Sequence, residues 1–147
     1  MSASLKRQNN SEDFIGFPKY VSSLQGTESA EILMEALGPN LKKYLRECPG
    51  GVFSKTTVYK IIIQLIQRLK TLHFLGFFHN DLKLENILTG AADSQTIYII
   101  DFGLTCKYLN SDETHIEKKF LNKFSGNFMF ASLNSCRGNT KSRRDDI

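Results

Sequence analysis

The sequence predicts an α+β fold, and three observations carry the prediction. There are two β-prone runs near the start (14–24 and 30–37), one long stretch of helical apolar spacing between Ser54 and Gly76, and a pair of Ile-rich runs at 87–88 and 97–100. The first run, FIGFPKYVSSL, places Gly16 and Pro18 ahead of the β-formers Tyr20 and Val21. The second is reached through turn-like Gln25-Gly26-Thr27, so the two read as neighbouring strands. Gly38-Pro39 should end the second strand, because proline has no N–H to give a ladder, and Asn40 to Glu47 then begins a short amphipathic piece. The pattern is a hinge from strand to helix.

The main helix has Ser54 as its expected N-cap and apolar residues at Val58, Ile62, Leu65, Leu69 and Leu72, the three-to-four spacing of a buried face. Ile61, Ile63 and Ile66 widen that face, which predicts burial on more than one side and a helix that acts as the pillar of the domain. Gly76 is the natural stop. Phe77 and Phe78 should anchor the loop that follows, while Ile87-Leu88 and the run 97–100 form a hairpin around it.

A chain of 147 residues with 41% hydrophobic content suits one globular domain or part of one. The longest apolar runs are broken by Gln64, Gln67 and Arg68, and the start, MSASLKRQNN, has no apolar core, so neither a membrane span nor a signal peptide is expected. Residues 1–13 read as a flexible polar leader. Cys48, Cys106 and Cys136 are odd in number and lack metal-ligand spacing; with the absence of a signal, they point to an intracellular place, cytoplasmic or nuclear. The net charge of +4 comes partly from Lys118-Lys119 and Arg143-Arg144, which read as a solvated face, and no nucleic-acid partner is expected.

The chemistry sits in HNDLKLENIL at 79–88 and IIDFG at 99–103. Moving a γ-phosphoryl group asks a protein mainly for positioning and charge neutralisation, since the transition-state charge lies on phosphate oxygens. Asp81 can accept or orient the proton of an attacking hydroxyl, Lys83 can neutralise the moving phosphate, and Asn86 and Asp101 can offer oxygens to Mg²⁺. Gly103 is read as the residue that turns the chain sharply behind the metal ligand. If each residue type fills roughly one position in twenty, four fixed residues at fixed offsets recur by accident about once in 10⁵ starting points.

HNDLKLEN with DFG resembles the catalytic and magnesium loops of protein kinases, and the lysine of DLK is similar to the serine/threonine branch. ILMEALGPNL at 32–41, FASLN at 130–134 and SRRDD at 142–146 resemble the casein kinase I group in order and spacing. The resemblance spans residues 14–147 and implies a partial, kinase-like α+β domain: last strands of the small lobe and hinge over 14–38, and the first half of the mainly helical large lobe over 39–147. It implies ATP and Mg²⁺ as cofactors and protein Ser/Thr hydroxyls as targets. In the hinge, the backbones of Glu35 and Leu37 would bond the adenine edge, with Met34 at the back of the pocket and Leu88 as its floor. His79 would pack against the DFG turn, Asp146 would brace the catalytic loop, and 104–130 would be the activation segment, with Ser111, Thr114 and Ser125 as candidate modification sites. His73 and His115 read as ordinary residues.

Departures from the pattern matter as well. No run before residue 14 reads as a Gly-rich loop, and neither Lys6 nor Lys19 lies in a VAIK-like strand, which predicts a weak grip on ATP. Asn80 stands where many kinases have an Arg that reads a phosphorylated activation loop, and Met129 stands where casein kinase I has an Arg. The alternative reading is a kinase-like binding or regulatory module without catalysis.

Overall fold

A computed structural model describes residues 14–121, 124 and 126–147; the expected leader 1–13 and Ser125 lie outside them. The two early strands form as expected, β1 (Tyr20–Gln25) and β2 (Ala30–Met34), an antiparallel hairpin with Gln25 opposite Ala30 and Leu24 opposite Glu31. Gly26 N–H donates to Ser29 O at 2.8 Å to close the turn. Every residue of both strands is exposed, including Leu24 (70%) and Ile32 (64%).

Gly38-Pro39 does not end the strand region. Both residues lie inside a third strand, β3 (Leu37–Asn40), which pairs with β5 (Ile87–Gly90). The sheet runs β3, β5, then β6 (Ile97–Ile99), which puts β3 at an edge, and its register is irregular between Leu37 and Asn40, the setting in which a proline costs a ladder little. Asn40 then caps α1 (Leu41–Glu47), its Oδ1 accepting from Lys43 N–H at 2.9 Å. The predicted hairpin is β5 with β6 (Ile97–Ile99), Ile87 opposite Ile99 and Thr89 opposite Ile97.

Helix α2 (Lys55–Phe74) starts on Ser54, whose Oγ accepts from Thr57 N–H at 3.1 Å, and stops at Gly76, which takes φ +89°. Its burial is narrower than the apolar pattern predicts. Leu69 and Leu72 are buried and Ile61 and Leu65 half-buried, whereas Ile62, Ile63 and Ile66 are exposed at 44%, 59% and 55%. The reason is that the β3-β5-β6 sheet and α1 cover one side only, through a core of Leu41, Ile87 and Ile97 packed by Phe53, Ile61, Leu65 and Leu84. The polar residues that interrupt the apolar run stitch the helix to β6. Gln64 Oε1 accepts from Ile97 N–H at 3.1 Å and from Arg68 Nη2 at 3.2 Å, and Arg68 Nε donates to Ile97 O.

Beyond α2, β4 (Phe77–Phe78) pairs with β7 (Cys106–Lys107), so the loop before and the segment after the hairpin are tied together at their bases. Phe78 is 3% exposed, the anchor the sequence predicts. A short helix α3 (Leu133–Cys136), capped by Ser132, and a tight turn over Arg143–Asp146 follow. Lys118 and Lys119 are exposed, as expected of a solvated face, but the arginine pair is engaged: Arg143 lies over the Tyr108 ring at 4.6 Å, and Arg144 Nη2 donates to Thr140 O at 2.9 Å. Among the described residues no helix is long and apolar enough to cross a membrane.

Candidate active site

The loop between β4 and β5 is held from outside itself. His79 and Asn80 offer backbone N–H groups with no ladder partner, and Asp146 takes both: His79 N to Oδ2 at 2.8 Å and Asn80 N to Oδ1 at 2.9 Å. The same carboxylate bonds His73 Nε2 at 2.8 Å. His79 itself is fully buried. Its Nε2–H donates to Ile100 O at 3.0 Å and its Nδ1 accepts from Asp81 N–H at 3.3 Å, a pair of contacts that only the neutral ring can make. Burial pushes its pKa below the ordinary histidine value, against the pull of the Ile100 carbonyl and of Asp146, Asp81 and Asp101. The ring lies 5.3 Å from that of Phe102, edge-on, as expected for a residue packed on the DFG turn.

Asp81 is 7% exposed, and its two carboxylate oxygens are treated differently. Oδ2 accepts from Lys83 Nζ at 2.5 Å and from Asn86 Nδ2 at 3.0 Å; Oδ1 has no hydrogen-bond partner among the described residues. The hydrogen bond to Asp81 raises the Lys83 pKa, so the ammonium stays charged beside the carboxylate. Beside Asp81 opens a cleft of about 190 Å³ lined also by Asn80, Phe130, Ser135 and Lys141. Ser135 Oγ is buried there and is the one buried side-chain oxygen or nitrogen without a partner among the described residues.

Asn86 also gives Nδ2 to Asp81 O at 2.9 Å, which fixes its amide and leaves its Oδ1 unused by the described residues. Its backbone O accepts from Ile100 N–H at 3.0 Å, so the hairpin register sets Asn86 beside the residue that precedes Asp101. Asp101, not Gly103, makes the sharp turn: it takes φ +65°, while Gly103 sits in the turn Phe102–Leu104 and donates its N–H to Asp101 Oδ1 at 3.4 Å. Aspartate tolerates this left-handed conformation better than most side chains. An amide oxygen and an exposed carboxylate are hard donors, and the described residues hold no cluster of three or more His, Cys, Asp or Glu able to cage a metal. That donor set fits Mg²⁺, which takes few protein ligands and fills its shell with water and phosphate oxygens.

The sequence matches the family model of the protein kinase domain over residues 5–147. The chain belongs to the protein kinase family. Its α+β architecture is that of a kinase domain, and membership carries the general activity: phosphoryl transfer from ATP, with a divalent metal, to a protein.

Within this kinase domain, Lys83 and Asn86 converge on the Asp81 carboxylate, and Asp101 is tied to them through the hairpin. The hinge residues are more scattered. Leu37 lies in β3 opposite Gly90, and Leu88 lies in β5 opposite Asn40, so these two share one sheet. Met34 ends the outer hairpin at 44% exposure, and Glu35 N–H is already given to Lys19 O at 2.9 Å, so the Glu35 backbone can offer a nucleotide only its carbonyl. Two contributors escape a reading by motif. His73 meets Asp146 across 73 positions with no local signal for the pairing, and Asn80, read as a mere substitution, turns out to be bonded on every polar side-chain atom.

Proposed function

We propose that the protein is a serine/threonine kinase of the casein kinase I type, which transfers the γ-phosphoryl group of ATP to Ser and Thr hydroxyls of proteins inside the cell. Asp81 is the base, Lys83 the cation for the moving phosphate, and Asn86 and Asp101 the residues that hold Mg²⁺. Met34, Glu35, Leu37 and Leu88 frame the nucleotide. The observation that carries this reading is the division of labour on Asp81: Lys83 and Asn86 occupy Oδ2 and fix the carboxylate, while Oδ1 takes no hydrogen bond from the described residues and Asp81 lines the cleft.

A substrate hydroxyl entering the cleft donates to Oδ1, which orients its lone pair and accepts its proton as the bond to the γ-phosphorus forms and the bond from that phosphorus to the β-phosphate oxygen breaks, releasing ADP. Lys83, bridged to the same carboxylate, offsets charge on the transferred group. Bound Mg²⁺ supplies further neutralisation of phosphate charge. The casein kinase I assignment is supported by a bond between the two runs that suggested it: Ser132 and Asn134 of FASLN both donate to Asp145 of SRRDD, Asn134 Nδ2 at 3.0 Å. Met129 is 86% exposed where that group has a cation, so the proposed targets need not be acidic. The free state of Cys48, Cys106 and Cys136 agrees with an intracellular place.

One observation favours the module without catalysis: the β1–β2 hairpin, which should wall the nucleotide pocket, is exposed throughout. Transfer of labelled phosphate from ATP to casein separates the readings. The kinase reading expects transfer that falls at least about 100-fold in Asp81→Asn. A wild-type chain that binds ATP or a protein partner yet transfers nothing supports the module and sinks the enzyme.

A further inference from the structure

Asn80 is one of three described non-glycine residues with positive φ, at +69°, and it is bonded to three separate parts of the chain. Its N–H goes to Asp146, its Nδ2 donates to Leu104 O at 2.9 Å just past the DFG turn, and its Oδ1 accepts from Lys141 Nζ at 2.7 Å. Its carbonyl is the wall against which Gly126 fits. A Cβ at Gly126, which itself takes φ +97°, would lie 2.8 Å from Asn80 O. Lys141 in turn lies over the Phe124 ring at 5.3 Å. Both ends of the segment between Leu104 and Phe130 therefore meet at the residue before Asp81.

We infer that Asn80 is a positioning residue: with Lys141 it fastens the two ends of the activation segment to the catalytic loop and so aligns Asp81, using side chains of this chain and no added phosphate. A neutral Asn gives no cation for a phosphate to pair with at this place, and the nearby Lys141 amine is already engaged by Asn80 Oδ1. Fastening requires only the contacts above; the alignment of Asp81 rests on the function proposed for it.

Hydrogen exchange of the unphosphorylated full chain tests the fastening without any need for activity. Glycine at position 80 keeps the left-handed backbone and removes the side chain, so Asn80→Gly separates the two roles. Amides of Leu104–Tyr108 and Gly126–Phe130 should exchange about tenfold faster or more in Asn80→Gly and in Lys141→Met, with Leu69 and Leu72 unchanged, because each loses a hydrogen bond that orders the segment. The double variant should exchange more slowly than the product of the two single effects, because both singles lose the same Lys141–Asn80 bond while each also loses a contact of its own. Wild-type protection in Asn80→Gly, with loss only in Asn80→Ala, reduces Asn80 to a backbone role and overturns the inference. If the Asn80 variants unfold, Lys141→Met decides alone, and wild-type protection there overturns it too. In phosphoryl transfer, kcat should fall while KM for ATP holds; a wild-type chain with no transfer defeats the proposed function and leaves the exchange result standing.

Discussion

The catalytic loop and the β1–β2 hairpin are both made of short strands and turns, yet they are held in opposite ways. Around the loop, Ile99 and His79 are wholly buried, and loose backbone N–H groups are taken by Asp146 from 67 and 66 positions away. In the hairpin every residue is exposed, and its order comes from its own ladder and a bond from Glu35 N–H to Lys19 O. A two-stranded hairpin alone is marginal in water. The contrast teaches that pairing gives the hairpin a shape, while distant polar side chains and packing give the loop a fixed geometry.

The comparison breaks first at Asp146. Asp146→Ala leaves His79 N–H, Asn80 N–H and the His73 ring without their acceptor in a site only 8% exposed. Stability should fall by about 3–5 kcal/mol, read from the urea midpoint, since stranded buried donors keep their full desolvation cost. A loss under about 1 kcal/mol would mean that the loop is held by packing alone.

The same residue type probes both regions next. Ile99→Ala removes three carbons from a fully buried place and should cost about 2–5 kcal/mol, whereas Ile32→Ala, at 64% exposure, should stay within about 0.5 kcal/mol. Equal effects on the two urea midpoints would erase the distinction between core and hairpin.

Local patterns were legible in sequence. Ser54 caps, Gly76 stops, Ile87 and Ile97–Ile99 pair, and the spacing in HNDLKLEN puts Lys83 and Asn86 on one carboxylate, because each depends on neighbours within a few residues or on a hairpin. What failed was long-range. Ile63 and Ile66 carry the signal of a buried face, but periodicity reports which residues suit burial and not whether a partner covers them. The brace from Asp146 to the catalytic loop came from the resemblance alone, and the bonds of Asp146 to His73 and of Lys141 to Asn80 went unread, because they join segments whose separation no local pattern encodes.

The smallest effect is a slope with pH. Burial lowers the His79 pKa below its unfolded value of about 6.5, so the unfolded chain binds this proton more readily than the folded one. The stability it contributes is fully present above about pH 6.5 and is lost as pH falls toward the lowered folded value. Protonation would also place a hydrogen on Nδ1, which now accepts from Asp81 N–H, so the loss is felt at the backbone of the proposed base. His79→Phe keeps a ring against Phe102 and cannot titrate. The difference in urea midpoint between wild type and His79→Phe should therefore shrink from pH 7.5 to pH 5.5, the other histidines cancelling between the two curves. A constant difference across that window would show that the His79 proton is bound alike in both states, and that the polar hold on the loop is insensitive to it.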